Sequence, residues 1–251
     1  VILLAIPLNI MVNGVLTFFY NGLVALAWGS LLVRAAMLAA LLIYMNEKKL
    51  RKIARPSMHD LLHLWRKGGQ IGLQMTVRSG YFAILGILVA KLGSRELAAH
   101  SLLLNVSSFL FMIPMGFNMA LAILVSQSQS SHQVKTVFQH SLLLSLGLTA
   151  SISLILLTVA NKVLHFFTTS SEVVHLAQGL ILCLPVNMLC DSLQGSFSGV
   201  LRGQGKFAPP LFASFAGLWL VALPLALFCG SSVTNIWYTL TLGSLFSVIC
   251  L

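Results

Sequence analysis

Long apolar runs separated by short polar stretches occur eight times along the chain, at about residues 1–19, 24–45, 69–91, 97–126, 137–160, 174–201, 208–229 and 234–251. Each is near the roughly 20 residues that a helix needs to cross the hydrocarbon of a bilayer. No water is available there to satisfy a bare backbone, so such a run must close its hydrogen bonds internally, as a helix does. The pattern predicts an all-α integral membrane protein. The fourth run is long and carries Pro114 in "FMIPMGF". A kink is expected there, because proline removes an amide donor and frees the carbonyl of Leu110.

Composition excludes the soluble alternative. Of 251 residues, 58% are hydrophobic and 8% charged, where soluble domains carry roughly 25% charged residues. The mean hydropathy is +0.95. A net charge of +10 would suggest nucleic acid in a soluble protein, but no basic domain exists to carry such binding. The bases cluster in loops. Lys48, Lys49, Arg51, Lys52, Arg55, Arg66, Lys67, Lys135, Arg202 and Lys206 fall on one side of the eight runs, and Lys91, Arg95 and Lys162 on the other. Ten against three assigns the basic side to the cytoplasm of a multi-pass cell-membrane protein, with both ends of the chain on that side. Cys183, Cys190, Cys229 and Cys250 lie in or beside apolar runs without ligand spacing and read as small hydrophobes. The chain opens on Val1 inside an apolar run with no charged region before it, so this is no signal peptide, and the start of the protein is expected to lie upstream.

Candidate chemistry sits in "VNMLCDSLQGSFSGVLRG", residues 186–203. Glu47, Asp60, Glu96 and Glu172 fall in loops or at run ends, whereas Asp191 lies eleven residues before Arg202. That is about 16 Å from the cytoplasmic end of a helix, where a charge costs at least roughly 2.5–3.5 kcal/mol and faces a bundle interior. One helical face carries Asn187, Asp191, Gly195 and Gly199, polar above and small below. The small residues suit close helix packing, and Asn187 is placed to share a cation or proton site with the carboxylate. Arg78 lies eleven residues after Lys67, at nearly the same depth. If their faces meet, the two charges relieve each other's cost. Gln74 and Arg78 belong to a polar stripe, and Tyr81 and Phe82, one turn on, are candidates to line a pocket for apolar cations. Asn105, Pro114 and Asn118 mark the fourth run as the other wall of that cavity.

Arg34 reads as structural, snorkelling to an interface. His59 and His63 have one-face ligand spacing but no third ligand, so no zinc site is expected. No nucleophile elbow, nucleotide loop or dinucleotide motif is present. Neither catalysis nor a bound cofactor is expected.

Two runs carry a family resemblance. "ILVAKLGSRELAAHSLLLNVSSFLFMIPMGF" (residues 87–117) resembles the seventh-to-eighth helix region of the multidrug and toxic compound extrusion (MATE) transporters. "DSLQGSFSGVLRGQGKFAPPLFASFAGLWLVALPLALF" (residues 191–228) resembles their tenth and eleventh helices. "IPLNIMVNGVLTF" and "AWGSLLVRAAMLAALLIYM" are similar to their fifth and sixth.

The resemblance implies a transporter bundle of two six-helix lobes, of which this chain would hold the last eight helices. Residues 1–45 would be the last two helices of the first lobe, 46–67 a basic cytoplasmic linker, and 68–251 the complete second lobe. It implies export of small, often cationic, organic compounds by alternating access, in exchange for Na+ or H+, by a monomer in the lipid bilayer. Alternatives are a lipid-linked oligosaccharide flippase of the same superfamily and a truncated remnant that does not transport. Asp191 matches a family acid that helps bind the coupling cation. Where many members have Glu in the seventh helix, this chain has Arg78. The expected consequence is an Arg78–Asp191 ion pair in place of a free cation site.

Overall fold

The computed structural model describes residues 2–18, 22–47, 57–168 and 170–251, all in helices or the turns between them. In chain order the helices are α1 (Ile2–Leu16), α2 (Gly22–Glu47), α3 (Met58–Ala90), α4 (Ser94–Gln127), α5 (Ser131–Phe167), α6 (Ser171–Leu180) and α7 (Cys183–Gly203). They are followed by α8 (Ala208–Phe215), a π-helical segment (Ala216–Ala222), α9 (Leu223–Cys229) and α10 (Val233–Ile249). Each of the eight apolar runs is helical. Among the described residues five helices are long and apolar enough to cross a membrane, or six if the bent α6–α7 pair is one span. The apolar helices α1 and α10 are shorter. The chain divides into two compact units, Val1–Leu61 and Leu62–Leu251. In the first, α1 packs against α2, and Arg34 is exposed on α2. The second holds the remaining helices.

Three boundaries differ from the hydropathy reading, each for a local reason. α3 begins at Met58, inside the segment expected as linker, whose residues 48–56 lie outside the described residues. Ser57 Oγ accepts the Asp60 amide at 3.1 Å, and Asp60 Oδ2 accepts the Ser57 amide at 3.2 Å. This reciprocal cap starts a helix about eleven residues before its apolar run. The sixth run is two helices bent by 47°. Pro185 has no amide to bond Ile181, and the Leu184 amide instead reaches the Ile181 carbonyl at 3.2 Å in a tighter turn. The seventh run widens into a π-helix just before Pro224, and the Leu223 amide bonds the Leu218 carbonyl five residues back. The wider turn moves backbone away from the proline ring. α4 continues as one helix through Pro114.

The outer surface of the second unit is apolar, unlike that of a soluble fold. Phe109, Phe212, Leu220, Phe228 and many other large apolar side chains face outward. Ser192, Gln194, Ser196 and Ser198 of α7 are buried, as expected of a bundle whose solvent is hydrocarbon. An apolar core of Tyr81, Leu85, Leu103, Leu184, Trp237 and their neighbours joins α3, α4, α7 and α10.

The backbones of α4 and α7 approach closely. A Cβ built on Gly195 would lie 3.4 Å from the Pro114 carbonyl oxygen, on Gly199 2.9 Å from that of Asn118, and on Gly203 2.7 Å from that of Ala122. Glycines four apart on α7 thus seat on carbonyls four apart on α4, which is the close backbone packing that small residues permit. α7 then stops at Gly205, whose φ of 76° is left-handed. The Lys206 amide bonds the Leu201 carbonyl at 2.8 Å and the Gly205 amide that of Arg202 at 2.9 Å. This glycine-dependent stop leaves Arg202 in the final helical turn.

Gly203→Ala should lower the thermal stability of the detergent-purified protein, since neither the Ala122 backbone nor Val125, also 2.7 Å away, can retreat cheaply. Gly147→Ala, with nothing within 4 Å of the added carbon, should be neutral or stabilising by up to about 1 kcal/mol. Equal melting shifts in the two variants would contradict the packing.

Candidate functional site

α3, α4, α7 and α8 enclose a cavity of about 490 Å³ within the second unit. On the α7 wall stand Asp191, Gln194, Ser198 and Arg202, spaced three and four residues apart so that they share one helical face. Opposite them α3 presents Gln74, Arg78 and Phe82, and α4 presents Phe111, Pro114 and Asn118.

Arg78 and Asp191 meet here. Nη2 of Arg78 donates to both carboxylate oxygens of Asp191, at 2.9 Å each. The guanidinium carbon also lies 4.3 Å from the centroid of the Phe111 ring and 5.8 Å from that of Phe82. The aromatic faces attract the cation and hold its plane. Side-chain exposure is 31% for Arg78 and 11% for Asp191, so the carboxylate is the more sequestered partner and depends more on its counter-charge. Among the described residues Asp191 has no other hydrogen-bond donor, and Arg78 bonds through Nη2 alone.

A second polar knot holds the end of the cavity toward the α7 C-terminus. Nη2 of Arg202 donates to Gln74 Oε1 at 2.7 Å, and Gln74 Nε2 donates to Ser214 Oγ at 3.0 Å. Ser214 Oγ also accepts from Gln194 Nε2 at 2.9 Å and donates to the Pro210 carbonyl at 2.8 Å. Three helices, α3, α7 and α8, are cross-linked through one serine. The π-helical segment adds a tie, with Trp219 Nε1 donating to the Val77 carbonyl at 2.9 Å.

Six of the nine residues singled out from the sequence line this cavity: Gln74, Arg78, Phe82, Pro114, Asn118 and Asp191. Three do not. Tyr81 is fully buried in the apolar core. Asn105 is exposed on α4. Asn187, one turn above Asp191, is turned away from it. Its Nδ2 donates to the Cys183 carbonyl and to Thr241 Oγ1 on α10, both at 2.9 Å. Asn187 and Asp191 stand on the unbroken α7, one turn apart, yet their side chains serve different contacts. Arg202 was counted as a loop base and is instead part of the wall. Gln194 and Phe111 were also missed, although Gln194 follows Asp191 by three residues and Phe111 precedes Pro114 by three.

The MatE family model matches residues 71–228, which include both partners of the ion pair. The chain belongs to the MatE family. A relative named as a probable multidrug resistance protein NorM, from Photorhabdus laumondii, is 26% identical over 267 residues, covering 100% of this chain and 59% of its own length. The multidrug resistance protein NorM of Vibrio cholerae is 30% identical over 249 residues, covering 95% of this chain and 54% of its own. The crystal structure of the eukaryotic MATE transporter AtDTX14 superposes with a TM-score of 0.87 at 19% identity, over 99% of this chain and 59% of that one. That likeness establishes the MATE fold. The chain spans between half and three-fifths of the length of these relatives.

Removing one partner of the ion pair should cost more than removing both. Asp191→Leu leaves a bare guanidinium in an apolar wall and is expected to destabilise by about 3–5 kcal/mol. Arg78→Met with Asp191→Leu should recover most of that loss. A double variant as unstable as the two single losses combined would show that the residues do not act as a pair.

Proposed function

We propose that this chain forms the second lobe, and part of the first, of a secondary transporter that exports small organic compounds in exchange for Na+ or H+. The observation that carries the reading is the intramembrane cavity itself. Its 490 Å³ suits a drug-sized molecule, and its wall combines an ion pair, Arg202 and neutral polar groups with apolar side chains of several kinds. The family membership and the multidrug resistance proteins among its relatives support the same reading.

The cavity contributes binding and a changeable contact. Asp191 is held by one nitrogen of one residue, and α3 and α7 meet across the cavity through that contact. Two lobes that alternate access need helix contacts with two discrete arrangements, and a hydrogen-bonded charge pair is one that can re-form with a new partner. A coupling cation that approached Asp191 would meet Arg78 first. Free cation capture in this lobe is therefore disfavoured, and coupling rests either on exchange of the Arg78–Asp191 contact or on the other lobe. The basic ends near Lys67, Lys135 and Lys206 are assigned to the cytoplasm on charge. Thiol labelling at Lys135→Cys in a cysteine-free background should occur only from that side, and labelling from outside would reverse the topology.

In proteoliposomes of the intact protein, Arg78→Glu and Asp191→Asn should each reduce ion-driven export of a fluorescent drug-like dye by about tenfold, the rate effect of roughly 1.4 kcal/mol. Export and ion dependence unchanged in both variants would remove the pair from the transport cycle.

A further inference from the structure

The charges in the cavity are unequal. Of the described side chains that line it, only Arg78, Arg202 and Asp191 are ionisable, so two guanidiniums face one carboxylate and one positive charge is left over. We propose that this cavity selects amphipathic organic anions, compounds with an aromatic or apolar body and a carboxylate or similar acidic group, over organic cations. The inference deepens the transport reading and takes from it only the direction of movement. The binding preference stands on the cavity alone.

Three observations lead there. Asp191 is the only acidic group in the wall, and both its oxygens already accept from Arg78 at 2.9 Å. A cationic ligand reaching it would stand beside the Arg78 guanidinium, which is also seated on the Phe111 ring at 4.3 Å. The two like charges would repel each other in a low-dielectric space.

The donors, in contrast, are in surplus. Arg78 bonds the protein only through Nη2, so Nε and Nη1 have no acceptor among the described residues. Arg202 bonds Gln74 through Nη2, again leaving its other nitrogens without an acceptor there. Two neutral groups buried in the same wall also lack partners among the described residues, the Ser198 hydroxyl, which can donate or accept, and the acceptor Asn118 Oδ1, so the surplus of charged donors rests on the two guanidiniums. A carboxylate takes paired N–H donors from a guanidinium in a geometry that no ammonium or apolar group reproduces.

The rest of the wall suits an apolar body. Met75, Met115 and Met119 add flexible, polarisable surface, which accommodates differently shaped bodies without committing to one. The charge sets the class of compound and the methionines leave its shape open.

Two dyes with the same phenylxanthene body and opposite charge test this. Fluorescein is a dianion at mildly alkaline pH, and tetramethylrhodamine methyl ester is a cation. Fluorescence polarisation with the intact protein in an uncharged detergent should show fluorescein bound at least about tenfold more tightly, the scale of one charge-assisted hydrogen bond. Arg202→Gln, which cancels the surplus charge, should weaken fluorescein by about tenfold while Arg202→Lys retains most of the preference. Arg78→Gln with Asp191→Asn, which removes the Arg78 donors without baring a charge, should also weaken it. Equal or tighter binding of the cation, saturation by neither dye, or an unchanged preference in both Arg202→Gln and the double variant would overturn the inference. Fluorescein bound but not exported from proteoliposomes under any ion gradient would support the inference and remove the transport reading. Cation bound and exported in place of fluorescein would do the reverse.

Discussion

A carboxylate in the middle of a hydrocarbon-facing bundle has few ways to exist, and the contact between Asp191 and Arg78 is the one used here. The two nitrogen–oxygen distances of 2.9 Å and the flanking Phe111 ring turn two expensive charges into one polar unit. That unit fixes which face of α3 meets which face of α7. Once those faces are set, Gln74, Gln194 and Arg202 fall into reach of Ser214 on α8, and the cavity acquires its second polar corner.

The pair can sit where it does because the backbones beneath it come close. Gly195, Gly199 and Gly203 of α7 rest on the carbonyls of Pro114, Asn118 and Ala122 of α4. Without a hydrophobic driving force between helices in lipid, such direct packing is what holds them together. The same stripe that tightens α7 against α4 also borders the cavity, since Asp191 continues the glycine line by one turn and Gly195 and Ser198 line the wall. Helix packing and site geometry are therefore one feature of the α7 sequence, and a change in either should be felt in both.

Much of this was legible in the sequence, and the parts that were not have physical causes. Eight helical runs follow from apolar length alone, and the depth match between Arg78 and Asp191 follows from counting rise per residue from the basic ends. What counting along a straight helix misses is any departure from straightness. Pro185 bends the sixth run at residues 181–182, and Asn187, one turn from Asp191 on the same helix, bonds Thr241 on α10. Rotation about the axis is the other blind spot. Tyr81 and Phe82 are adjacent and aromatic, yet one is sealed in the core and the other lines the cavity. The early start of α3 had a visible signal in the serine and aspartate of "SMHD", outweighed by a basic, proline-containing stretch that reads as loop.

Arg78 also distinguishes this wall from one built on acids alone. Two acids would make a site hungry for a cation. One acid already matched by a guanidinium makes a neutral latch, and Arg202 then tips the wall positive. The claim beneath all of this is that Asp191 stays ionised inside the bundle because Arg78 faces it. Infrared difference spectroscopy between the wild-type protein, carrying isotope-labelled aspartate, and its Asp191→Asn variant reads that state directly. At neutral pH the difference should contain the paired stretches of an ionised carboxylate. A single carbonyl band of a protonated acid in their place would contradict it.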